Sequence, residues 1–311
     1  MASMRWGAYF SQYDIRDIAV VDPIRPQSGG HWYNIGVNDQ LTSSKVHLLS
    51  DEFADSRVDK RDATTEDYIS WIKSSIRKGN MVTICVYMNH YLFYHNNDTN
   101  AGYTEYDHIV TVTSYQSNYD DDLYHDDDII TMADHGLWSP KFDPVYYFSY
   151  VAKDWIGGRV EANDPDGPLY TLPRRTIENK EKNMTAIRNY GIAQTGIIDL
   201  NDECYPITIT TDKNYEFPQI DRLSEVRPEP MELELTVTVS ELDASKSYVL
   251  YRYDDEEKVP DSNFNSYANQ AFSRLFLSSN NIDATTGTFT MKEKIMSNQK
   301  VIYRCVLVAR V

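Results

Sequence analysis

The chain has 311 residues, enough for two ordinary domains with cores of their own, and its 41% hydrophobic and 13% aromatic content excludes a disordered polypeptide. A formal charge of −17 excludes a nucleic-acid footprint, which needs clustered Lys and Arg, and argues equally against an anionic membrane surface. No run approaches the roughly 18 apolar residues of a membrane-spanning helix, and three cysteines are too few for a disulfide scaffold.

Met1 to Ile18 reads as a helix carrying Met4, Trp6, Tyr9, Phe10 and Tyr13. A polar, loop-like stretch follows from Asp22 to Gln40, with Pro23, Pro26 and Gly29-Gly30. The best-marked helix comes next. Thr64 caps it, Asp67 stands three residues on as a capping-box partner, Ile69, Ile72 and Ile76 share a face, and Gly79 stops it. Four strand-like runs succeed it, Met81 to Met88, His108 to Tyr115, Ile129 to Ala133 and Val145 to Val151, rich in Val, Ile, Thr and Tyr. Cys85 lies inside the first run and reads as a buried structural thiol.

Between the second and third runs lies an acidic segment, Asp120-Asp121-Asp122 to Asp126-Asp127-Asp128. Ca²⁺ takes roughly six to eight oxygen ligands, so Ca²⁺ is a candidate there, but the segment lacks the spacing and glycine of an EF-hand loop. A solvated loop is the plainer expectation. His31, His47, His90 and His95 show no metal-ligand spacing with the cysteines, so no other cofactor is expected.

Gly157 to Lys182 holds Pro165, Pro168 and Pro173 and reads as a surface wrap. Arg227-Pro228-Glu229-Pro230 reads as a stiff linker, which divides the chain into 1–226 and 227–311. Directly after it Met231, Leu233, Leu235, Val237 and Val239 alternate with polar residues, the period of a strand with one buried face. Further runs at Tyr248 to Tyr253, Phe272 to Leu277, Thr286 to Met291 and Val301 to Ala309 predict a small antiparallel sandwich. Pairing of Cys204 with Cys305 stays open. The sequons Asn97-Asp98-Thr99 and Asn183-Met184-Thr185 point toward a secreted protein.

In the first domain a helix leads into the strand Met81-Val82-Thr83-Ile84, and the next strand is entered through Tyr106-Asp107-His108-Ile109-Val110. A third ends in Ala133-Asp134-His135-Gly136. This order, over about residues 1–150, resembles the C39-like branch of the papain-like cysteine peptidases. The resemblance implies an α+β papain-like domain ahead of the all-β sandwich, with His108 as the catalytic imidazole and Asp134 orienting it. Asp128 and His135 compete for the second role. Such a site also needs a thiolate at the start of the first helix and a glutamine in the oxyanion hole. Gln12 comes too late in that helix, and Cys85 lies within a strand.

The expectation is therefore a C39-like amide hydrolase that is catalytically incomplete as given, either truncated or a pseudoenzyme. The alternative is a secreted, non-enzymatic binding or assembly protein with a peptide or protein ligand. The tyrosine excess (24 against 10 phenylalanines) and the acidic surface lean that way.

Overall fold

A computed structural model describes residues 2–11, 14, 40–54, 62–89, 108–133, 147–157, 164–174, 189–213 and 230–308. In chain order the first strands are β1 (Ala8–Tyr9), β2 (Leu48–Ala54), β3 (Met81–Met88), β4 (His108–Gln116), β5 (Ile129–Ala133) and β6 (Tyr147–Val151). Short strands β7 (Ile156–Gly157) and β8 (Tyr170–Pro173) lead to β9 (Tyr190–Ile197), β10 (Cys204–Tyr205) and β11 (Ile207–Thr211). The last five are β12 (Glu232–Val239), β13 (Tyr248–Tyr253), β14 (Ser273–Leu277), β15 (Phe289–Met296) and β16 (Val301–Leu307). Among the described residues the α-helices are α1 (Gln40–Lys45), α2 (Thr65–Arg77) and α3 (Ala152–Trp155). The chain is thus mostly antiparallel β.

Two units emerge. One gathers Met1–Ser50, Gln194–Tyr215 and Val226–Val311; the other holds Asp51–Ala193 with Glu216–Glu225. This corrects the expected division at 226/227. The start of the chain belongs with its end, because β1 pairs with β16 through Ala8↔Ile302 and Tyr9↔Val301. The expected helix over Met1 to Ile18 is corrected with it over residues 2–11; the rest of that span, Asp14 apart, lies outside the described residues. Ala2–Trp6 is a 3-10 turn, and Ala8–Tyr9 is strand. Gly7 breaks the run at φ +68, where a Cβ would stand 2.9 Å from that of Ile207. Of the expected linker, only Pro230 is described; 227–229 and the polar stretch 22–39 lie outside the described residues.

In the unit holding α2, that helix forms as its sequence predicts. Thr64 Oγ1 accepts from the Asp67 amide at 3.2 Å, and Asp67 Oδ2 accepts from the Thr64 amide at 2.7 Å, completing the capping box. Gly79, at φ +81, follows the last turn. The helix lays Tyr68, Ile69 and Ile72 into a core with Val82, Ile84 and Val86 of β3, Val110 and Val112 of β4, and Ile130 and Met132 of β5. Strands run in the order β2-β9-β3-β4-β5-β6, with β8 joined to β3 and, in parallel, to β7.

In the other unit a five-stranded sheet, β1-β16-β13-β14 with β10 also on β16, shares a core with the three-stranded sheet β11-β12-β15. The alternation of β12 is realised: Leu233, Leu235, Val237 and Val239 are fully buried. Each contributes about 1.5–3 kcal/mol of apolar transfer. Strands β13 and β16 are covered on both faces. Tyr248, Leu250, Tyr303 and Cys305 face the second sheet; Val249, Tyr251, Ile302 and Val306 face the opposite core. One expected strand is misplaced, since Thr286 to Met291 becomes Phe289–Met296 behind the turn at Gly287.

Candidate functional site

His108 is the first residue of β4, opposite Val86 of β3. Its ring is half-buried and stacks on Tyr170 at 5.7 Å between centroids, and Tyr170 in turn meets the edge of Phe148 at 5.3 Å. Asp134 and its competitor His135 lie outside the described residues, so the geometry of the expected dyad is not on display. The thiolate-favouring helix that the resemblance places ahead of them is not formed by residues 2–11. Cys85 is buried within β3, as a structural thiol should be.

Cys204 and Cys305 are free. Register explains it: Cys204 opposes Val306 and Tyr205 opposes Cys305, so the two thiols leave opposite faces of their strand pair. Thiols directed apart cannot be bridged without moving backbone. Burial pushes the Cys305 thiol up to about 12 and raises that of Cys204 as well.

The acidic segment is largely exposed, as the plainer expectation had it, but its last residue anchors it in the core. Asp128 is fully buried and pairs at 2.7 Å with the equally buried Lys73 of α2. The Lys73 ammonium also donates to the Leu123 carbonyl and sits 5.6 Å from the Tyr115 ring. Asp120 and Asp122 engage Arg77, at 2.5 and 3.0 Å. Asp121 bonds His125 at 2.9 Å, which holds its carboxyl below the usual range. Asp127 accepts from Asn118 at 2.9 Å. Asp120 and Asp122 share Arg77 while Asp121, Asp127 and Asp128 turn to other partners, and among the described residues no group of three or more His, Cys, Asp or Glu is placed to hold a metal ion. Sequence reading missed Lys73, although it stands four residues after Ile69 on the helix's apolar face.

A surface groove of about 270 Å³ opens at the edge of the sandwich unit. Strand β13 supplies Arg252, β14 Leu275, β15 Met291 and Glu293, and β16 Tyr303, with Phe272 at the rim. Arg252 Nε bonds Glu293 Oε1 at 2.7 Å, the Tyr303 hydroxyl donates to Glu293 Oε2, and the Arg252 guanidinium lies 4.9 Å from the Phe272 ring. Burial, then the hydrogen bond to Glu293, raises the Tyr303 hydroxyl above the usual tyrosine value. The triad is satisfied by its own members, so it shapes the groove rather than offering a nucleophile or base. Along the rim Phe272 and Phe276 are 66% and 68% exposed, and Leu275 is 40% exposed. Tyr267, before the strand, is fully exposed. No protein-family model, curated protein or solved structure matches the chain.

Proposed function

We propose that the chain is a non-enzymatic binding or assembly protein that engages extended polypeptide along the β14 edge of its sandwich unit. The observation that carries this reading is a pair of exposed apolar side chains, Leu275 and Phe276, one on each face of a strand whose outer side no other strand covers among the described residues, with exposed Phe272 just ahead of it. Apolar side chains exposed along an unpaired strand edge, beside a groove that holds an Arg252–Glu293 pair, are the mark of an interaction surface. The two sequons, both outside the described residues, support an extracellular setting. Peptides displayed at random and selected against the full chain test the proposal. They should converge on a consensus that binds the wild type and is lost with Leu275→Lys. No convergence, or a consensus indifferent to that substitution, would overturn it.

A second reading, the papain-like hydrolase, is favoured by one specific observation. The order α2, β3, β4 with His108 opening β4 is the order the resemblance requires. Turnover of a quenched-fluorescent peptide library, abolished by His108→Ala, would establish it. The binding reading expects no turnover.

A further inference from the structure

Strand β14 ends the five-stranded sheet: β13 pairs with one side, and among the described residues nothing pairs with the other. Natural proteins guard such edges with lysine, proline or bulges. The segment Ser273–Leu277 has neither proline nor lysine, and its one charge is Arg274. Its register with β13 sorts its side chains. Arg274 and Phe276 lie opposite Tyr251 and Val249 on one face, and Ser273 and Leu275 lie opposite Arg252 and Leu250 on the other.

We propose that two copies of this chain pair β14 against β14, antiparallel and two-fold symmetric, with Leu275 at the centre. This rests on the binding-and-assembly reading above and names its partner. An antiparallel pair about a two-fold axis is fixed by the residue that meets itself, and the chemistry selects among the choices. Centring on Arg274 would set two guanidinium groups face to face. Centring on Leu275 sets leucine against leucine, Ser273 against Leu277, and each Arg274 against the Phe276 of the other copy. Arg274 already lies 5.5 Å from the Tyr251 ring, so the second aromatic extends a contact the strand pair has begun. Arg274 meets no carboxylate within 4 Å among the described residues, whereas Arg252 is neutralised by Glu293 and Lys292 by Glu234. With those charges cancelled in pairs, the β14 edge escapes the acidic repulsion of a chain of net charge −17, and the Leu275-centred register sets each Arg274 against an aromatic ring rather than against its own copy. The Asn281 amide donates to the Phe276 carbonyl at 3.3 Å, but a carbonyl keeps a second lone pair for a ladder bond. Pairing consumes both edges, so the assembly closes at two.

Sedimentation velocity on the full chain, from about 1 to 300 µM, tests the proposal. A reversible monomer–dimer equilibrium is expected, strengthened by added salt because screening weakens the repulsion between acidic bodies. Leu275→Lys should weaken it at least about tenfold by opposing two ammonium groups. Leu200→Lys, at a 74% exposed position elsewhere, should leave it unchanged. Under mild oxidation Leu275→Cys should cross-link two copies and Arg274→Cys should not. A chain monomeric throughout, or a dimer indifferent to Leu275→Lys, overturns the inference. If the chain stays monomeric while displayed peptides still need β14, polypeptide binding stands and self-pairing falls. If the selection fails and the dimer forms, the reverse holds.

Discussion

Asp128→Ala strands the ammonium of Lys73 in a site from which both side chains are wholly excluded from water. The lost partner leaves a buried charge facing the Leu123 carbonyl and the Tyr115 ring, with Asp121 the nearby carboxylate. Breaking a buried pair from one side costs about 3–5 kcal/mol, far above the 0–1 kcal/mol of an exposed one. The Asp128 carboxylate also accepts from the His125 amide at 3.0 Å, and that bond goes with it, so the damage spreads along the loop. Urea dependence of amide hydrogen exchange at β4 and β5 reads the effect where it occurs. Lys73→Met alone should cost a similar amount, because it leaves the Asp128 carboxylate unpaired. The double variant Lys73→Met/Asp128→Leu should cost less than the sum by about 2 kcal/mol or more. If Asp128→Ala costs under about 1 kcal/mol, the pair is solvated in solution and the reasoning is refuted.

Gly7→Ala forces a Cβ into left-handed backbone and against Ile207, and should cost about 2–5 kcal/mol, read as a lower urea midpoint with an unchanged slope. A change under about 0.5 kcal/mol would mean that the N-terminal strand is not docked. The fragment 231–311 should show no cooperative unfolding, because it lacks β1, β10 and β11, whereas a chain keeping 1–50, 194–215 and 226–311 with short linkers should unfold cooperatively. Burial, then Arg304, holds the His47 imidazole below its ordinary value despite Asp261 at 3.1 Å. The unfolded chain then takes the proton first, so stability is full above about pH 6.5 and is lost as pH falls through the lower folded value. His47→Asn, which tolerates the φ of +58, should flatten that slope; identical slopes would contradict the assignment.

Local rules carried far where local physics decides. The α2 cap, Gly79 and the bounds of β5 and β13 follow from side-chain chemistry and period, and the structure repeats them. The opening segment did not, because apolar residues at Met4, Trp6, Tyr9 and Phe10 suit a helix face equally well. What decides between them is pairing with Val301 and Ile302, almost 300 residues away. The domain division failed for the same reason, since a proline-rich stretch marks where the chain is stiff, not which strands it brings together. Lys73 was hidden because its partner lies 55 residues on, in a segment whose composition reads as solvent-facing. The groove at β14 was hidden too, since Arg252, Phe272, Glu293 and Tyr303 come from separate runs that only the sheet unites.

Amide hydrogen exchange along β14, measured on the full chain at low and at high protein concentration, tests the central claim most directly. The account predicts slower exchange at high concentration confined to residues about 272–277, and no such slowing in Leu275→Lys. Unchanged exchange at β14, with protection gathering instead around His108, would contradict it.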